Sequence, residues 1–389
     1  MVPDESTSRK WTNAFLDEMR QSGDPLADSA VTSLFESGRV YSVWELMKTL
    51  VQNDHPAPDK LPDELKSYLE MTSHISPGNP GLIEHGQRLF QRCGPEILMV
   101  LACYSLPASY AARKGVQVLY RTGFLNHRPN HRLFETTQMV MDVLSPAGLD
   151  ASGRGVRTAQ KVRLMHAANR RLILNDPERP WDKDLGVPIN QEDLAGTLMV
   201  FTYLIVDGLE RLGITTSPDE QQGYLETWKV IARIIGIQDT LIPANMAEAK
   251  ALCELIQVRQ VQCCDEGKAM NHALLEMLEH HLPPGPWRRW PAALMRHFLP
   301  HEIADGFDIP DHALEEHILQ RAVESRSELE TVTGEVRKLW IVRECALLFL
   351  ECLVSVKLGG KRTPFIIPTN LHHGWAQAHR SSVWEQLRR

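Results

Sequence analysis

In the run Gly155-Val-Arg-Thr-Ala-Gln-Lys-Val-Arg-Leu-Met-His-Ala-Ala-Asn-Arg-Arg-Leu-Ile173, Arg163, His166 and Arg170 are spaced three and four residues apart. On a helix of 3.6 residues per turn, that spacing puts all three on one stripe. An imidazole between two fixed cations is disfavoured as imidazolium, so the neutral, metal-ligating form is favoured near neutral pH. If the stripe is buried, the two guanidinium groups need anionic partners. Haem b meets both demands, because its iron takes an axial histidine and its propionates take arginine forks. Ala167 and Ala168 are small enough for a flat macrocycle to approach. The same residues also suit a basic surface helix with a structural histidine, and the stripe alone leaves both readings open.

Other constellations promise less. His297 and His301 have the i, i+4 spacing that converges on one ion, but Pro300 between them disrupts an ideal helix. No metal site is expected there, and His280-His281 and His372-His373 are assigned ordinary polar roles. The chain has no Gly-x-Gly-x-x-Gly turn, no P-loop and no Gly-x-Ser-x-Gly elbow. Its seven cysteines form no CxxC pair, so reduced, mostly buried thiols are expected rather than a cluster or a structural zinc.

The elements that must position the stripe are helices. Apolar residues recur at three and four residue spacing, and no sustained period-two run rich in β-branched residues occurs. Helical stretches are expected at about 82 to 105, 107 to 122, 130 to 144, 155 to 174, 191 to 213, 217 to 236, 244 to 281, 288 to 304 and 311 to 358. Pro107, Pro129, Pro146, Pro218, Pro243 and Pro310 mark joints between them. Asn190 with Asp193 reads as a capped helix start. The expected fold is all-α, one large helical domain with globin-like packing around a haem. Residues 1–80 read as an N-terminal helical extension, 81–310 as the haem-binding core, and 311–389 as a C-terminal helix and tail packed on it.

Composition sets limits. The chain has 389 residues, 43% hydrophobic and 23% charged, as in an ordinary globular protein. A formal net charge of -7, with no concentrated basic patch, argues against nucleic acid or an anionic membrane as partner. Charges in the opening residues argue against a secretory signal, and the longest apolar runs fall short of a bilayer span. A cytoplasmic protein is expected, and the oligomeric state is left open.

Around the histidine helix, Arg163-Leu-Met-His-Ala-Ala-Asn-Arg170, Trp181-Asp182 and Gly186-Val-Pro-Ile-Asn-Gln-Glu-Asp193 form a run. It resembles the family of the bacterial latex clearing proteins (rubber oxygenases) and the endoplasmic-reticulum-bound oxygenase of mycophenolic acid biosynthesis. Matching words extend from about Gly86 to Pro310, over half the chain. The resemblance implies His166 as proximal iron ligand, with Arg170 directed at a propionate. It also implies a further propionate contact from Arg296, within Ala293-Leu-Met-Arg-His-Phe-Leu-Pro-His-Glu-Ile-Ala-Asp305. On the distal side the family carries Arg-x-x-Lys-Thr, against Arg132-Leu-Phe-Glu-Thr136 here, so Arg132 and Thr136 match and Glu135 replaces the lysine. The distal glutamate of rubber oxygenases has no counterpart, since no carboxylate occurs from Ala108 to Arg121. Glu135 then serves as acid/base group or simply pairs with Arg132.

The implied activity is oxidation of a small apolar alkene or isoprenoid-like compound by O2 on haem b, with cleavage of a carbon-carbon double bond. A haem sensor or storage protein without turnover, and a peroxidase-like enzyme, would use the same ligands. The apolar run Met199–Val206 reads as core.

Overall fold

Helix starts in this chain are written in capping residues. Asn79, Asn190, Ser217 and Asn245 each accept a backbone N–H of the first turn, and Ser217 with Glu220 completes a capping box behind Pro218. The computed structural model describes residues 10–36, 62–73, 75, 78–122, 129–150, 153–282, 284–324, 343 and 346–347. The fold is all-α, and the one β feature among the described residues is an isolated bridge between Ala112 and Val261.

Helices α1 (Asn13–Arg20), α2 (Pro25–Glu36) and α3 (Asp63–Ser73) come first. A long α4 (Pro80–Val100) runs through a π-helical turn at Leu101–Ser105 into α5 (Leu106–Tyr110) and α6 (Arg113–Arg121). Next come α7 (Pro129–Leu144), α8 (Arg154–Leu174), α9 (Gln191–Phe201), α10 (Tyr203–Arg211) and α11 (Pro218–Ile235). The series ends with α12 (Met246–Gln260), α13 (Asp265–His281), α14 (Trp290–Phe298), α15 (His301–Gly306) and α16 (Ala313–Glu324).

Four expected helices are broken. The stretch 191–213 divides at Thr202, whose backbone leaves the helical region (φ -117, ψ -85). The stretch 244–281 divides at Val261, where Gln262 donates its N–H to Ala111 instead of continuing the helix. Residues 288–304 divide at Leu299 and Pro300, as the proline requires, and 107–122 divides at Ala111 and Ala112. The 82–105 stretch kinks at Cys93 (φ -124), two residues before Pro95. Of the helix expected over 311–358, α16 lies in the described part, and most of the remainder lies outside it.

Packing centres on α4 against α11 and on α8 against α2, α7 and α11. Where α4 crosses α11, backbones touch, since a Cβ on Gly86 would come 2.6 Å from the Gly223 carbonyl oxygen. Two apolar clusters form. The larger takes in Val156 and Ala159 from the start of α8. The smaller joins Leu164 and Ala167 to Ala27, Val31, Leu34, Leu65, Tyr68 and Leu69. Helix α8 thus spans both cores, and the N-terminal helices dock on the half that carries His166.

Candidate functional site

Helix α8 presents the Arg163–His166–Arg170 stripe as its sequence predicts. Both guanidinium groups are buried, and His166 is half-buried with Nδ1 sealed from solvent. Burial of an arginine demands partners on every face of its fork. Arg163 donates Nε–H to Asp24 Oδ2 at 2.6 Å and Nη2–H to Asp24 Oδ1 at 2.7 Å. Its Nη1 donates to the Ile234 carbonyl at 3.1 Å. Burial pulls the Arg163 pKa down, but the hydrogen bonds and charge of Asp24 more than offset this and raise it. Arg170 donates Nε–H to the Pro188 carbonyl and Nη2–H to the Ile189 carbonyl, both at 2.9 Å, and its Nη1 pairs with Asp28.

Arg163 and Arg170, expected to hold propionates, are paired within the chain. The anions that their burial demands come from the chain itself, at the corner between α1 and α2. The same is true of Arg296, whose Nη1 donates to the Ile309 carbonyl at 2.8 Å while Nη2 pairs with Asp305 at 2.6 Å and Nε lies 3.5 Å from Glu316. A second difference concerns Ala167 and Ala168. They pack into the small cluster under α2 and α3, so that face of α8 is closed to a macrocycle.

Another face of α8 meets α7. A Cβ on Gly155 would come 2.8 Å from the Val143 Cα. Thr158 Oγ1 donates to Asp142 Oδ2 at 3.2 Å, and Gln138 donates to Asp142 Oδ1 at 2.9 Å. Burial pushes the Asp142 carboxyl above the usual range. From that contact Thr136 lies about 9 Å along α7 and His166 about 12 Å along α8, at 1.5 Å per residue. Thr136 is half-buried and Glu135 exposed, and the side chain of Arg132 lies outside the described residues.

Helix α6 bears no carboxylate, and its polar groups are engaged with neighbours. Arg113 donates to Gln262, the Gln117 amide donates to the Glu266 carboxylate of α13, and Arg121 donates to the Arg179 and Pro180 carbonyls. His297 hydrogen-bonds the Arg211 carbonyl at 3.4 Å, and burial lowers its pKa. Among the described residues no group of three His, Cys, Asp or Glu could hold a metal ion.

Several working residues were invisible to sequence reasoning. Asp24 and Asp28 lie 139 and 142 positions from their arginines, a separation with no local signature. The Gly186–Asp193 word proves to be a buried ionic junction. Arg20 bonds Glu192 and Asp193, each at 2.8 Å, and Arg259 and Gln260 also donate to Glu192. Burial, opposed by Arg20 and reinforced by Glu192, pushes the Asp193 pKa up to about 6. The acidic pair at 192–193 was the only available signal.

A haem has to be judged against this geometry. The imidazole of His166, half-buried with Nδ1 sealed from solvent, fits a group that would hold the iron. The three arginines, each already committed, do not fit as propionate anchors.

Residues 94–325 match the family model described as ER-bound oxygenase mpaB/B'/Rubber oxygenase, catalytic domain. The rubber oxygenase of Streptomyces sp. (strain K30) is 25% identical over 360 residues, covering 89% of this chain and 85% of that protein. A structure of latex clearing protein in the closed state superposes with a TM-score of 0.72 at 22% identity, over 90% of this chain and 95% of the other. With well over half its length matched, this chain belongs to the mpaB/rubber oxygenase catalytic-domain family.

Proposed function

We propose that this protein is a haem b-dependent oxygenase that oxidises an apolar alkene of isoprenoid type with O2, cleaving a carbon-carbon double bond. Family membership supports an oxygenase, and the rubber oxygenase among its relatives supports an isoprenoid-like substrate. The observation that supports the cofactor assignment is the burial of His166, half-buried on α8 with Nδ1 sealed from solvent and with Ala167 packed under α2. A haem needs only one ligand from the chain, which His166 would supply.

Haem b, when bound, supplies the redox chemistry toward O2. The chain's residues do the rest. His166 would hold the iron. Thr136, half-buried on α7, would supply a hydroxyl hydrogen bond, and Glu135, exposed beside it, would be the acid/base group. Leu133 and Val140, buried on α7, and Val162 on α8 add apolar surface around these helices. An unfunctionalised alkene is recognised by shape and desolvation rather than by charge, which suits such walls.

The test is spectroscopic, then catalytic. Full-length protein supplemented with haem should show a Soret band that His166→Ala abolishes, and should take up O2 when given prenyl alkenes, yielding carbonyl products by mass spectrometry. Protein that stays colourless after haem supplementation would sink the proposal. A Soret band without alkene-dependent uptake would instead favour a sensor.

A further inference from the structure

We infer that the α1–α2 corner is a working part of the His166 site: Asp24 and Asp28 are positioning residues that, through Arg163 and Arg170, fix the rotation and height of α8 and so hold the His166 imidazole in place. This rests on His166 being the iron ligand. It assigns the two arginines to the chain's own carboxylates rather than to those of a cofactor.

Three observations carry it. First, the anchors straddle the ligand, one three residues before it and the other four after, on its own stripe. A helix pinned on both sides of one residue can neither turn nor slide at that residue. Second, the anchors reach separate elements. Arg163 ties α8 to Asp24 and to the end of α11 at Ile234, and Arg170 ties it to Asp28 and to the Pro188–Ile189 backbone. Third, the surroundings are shaped around the Arg163–Asp24 pair. Gly236 adopts φ +92, and a Cβ there would come 2.7 Å from both the Arg163 guanidinium carbon and Asp24 Oδ2. Gln191, meanwhile, donates to the Gly23 and Gly236 carbonyls, binding the corner from the other side.

Charge-assisted, bidentate bonds of this kind define orientation more sharply than neutral ones. Groups that orient a metal ligand from behind commonly change metal affinity by about 10- to 100-fold when removed.

The test is a double-mutant cycle on haem-loaded full-length protein, using Asp24→Asn, Arg163→Gln and the pair. The readouts are the rate of haem transfer to an acceptor globin and the iron–histidine stretching band of the ferrous protein. Each single variant should speed haem loss by about tenfold and shift the band, and the double should be no worse than either. A merely structural weakening would lower the unfolding midpoint without moving the band. If Asp24→Asn keeps wild-type haem retention while Arg163→Gln loses it, the arginine holds a cofactor carboxylate and the inference is overturned. Should those variants fold poorly, Asp28→Asn and Arg170→Gln give the same cycle at the more exposed pair. A second arm uses haem dimethyl ester. An Arg163→Gln penalty that is equal for haem and its ester supports positioning, and one that vanishes with the ester overturns it. Absence of the iron–histidine band from wild type, by contrast, strikes the ligand assignment itself.

Discussion

On the side of α8 that faces α2 and α9, four guanidinium groups, from Arg20, Arg163, Arg170 and Arg259, meet the carboxylates of Asp24, Asp28, Glu192 and Asp193 in largely buried pairs. On the side that faces α7, one buried carboxylate, Asp142, accepts from the neutral donors Thr158 and Gln138, with Arg154 and Lys161 of α8 as its nearby cations. The first arrangement carries a heavy desolvation cost and returns orientation rather than net stability. The second couples α7 to α8 through neutral donors and fewer charges. Helix α8 thus has a heavily ionic back, toward α2, and a less charged front, toward α7.

The sharpest way to break this contrast is to unlock the back. Glu192→Ala strips Arg20 and Arg259 of a shared buried partner and should lower unfolding free energy by about 3–5 kcal/mol in a urea titration. A loss below about 1 kcal/mol would mean the ionic junction defines little. The front is tested by turnover. Glu135→Gln should keep the Soret band and lower alkene-dependent O2 uptake by about 100-fold if this exposed carboxylate moves the proton. Unchanged uptake returns it to the pairing role with Arg132. Thr136→Val, nearly isosteric, should leave the unfolding midpoint in place and cut uptake by about tenfold, the worth of one hydrogen bond. The mildest effect concerns pH. Asp193 titrates near 6 in the fold and near about 3.9 when unfolded, so the folded state takes up the proton first as pH falls. Its contribution to stability should therefore rise as pH drops from about 6 to about 4. Asp193→Asn should flatten that slope, measured as the difference between two denaturation series.

Much of this architecture could be read from the chain. Three-four periodicity and proline punctuation placed most helices, because amphipathic burial and missing N–H groups are local effects. The breaks at Thr202 and Val261 were not legible. Neither carries a proline or glycine, and the second exists because Ala111 and Ala112, some 150 positions away, offer it a backbone partner. The histidine stripe was legible because one helix holds it. What that stripe meets was not. Burial of Arg163 and Arg170 signals a need for anions without naming them, and Ala167, small enough for a macrocycle, is equally small enough for α2. Sequence specifies demand locally, and the fold supplies it from afar.

The bare crossing of Gly86 and Gly223 acts as a notch. Its groove holds no side chain, and sliding α11 by one residue would drive Tyr224 or Gln222 into the backbone of α4. The helix is thus a ruler clamped near its start, and about 16 Å along it, at 1.5 Å per residue, stands the Ile234 carbonyl that receives Arg163. A lone methyl group added at that distant clamp would be transmitted, undamped by any soft joint, to the tilt of an imidazole it never touches.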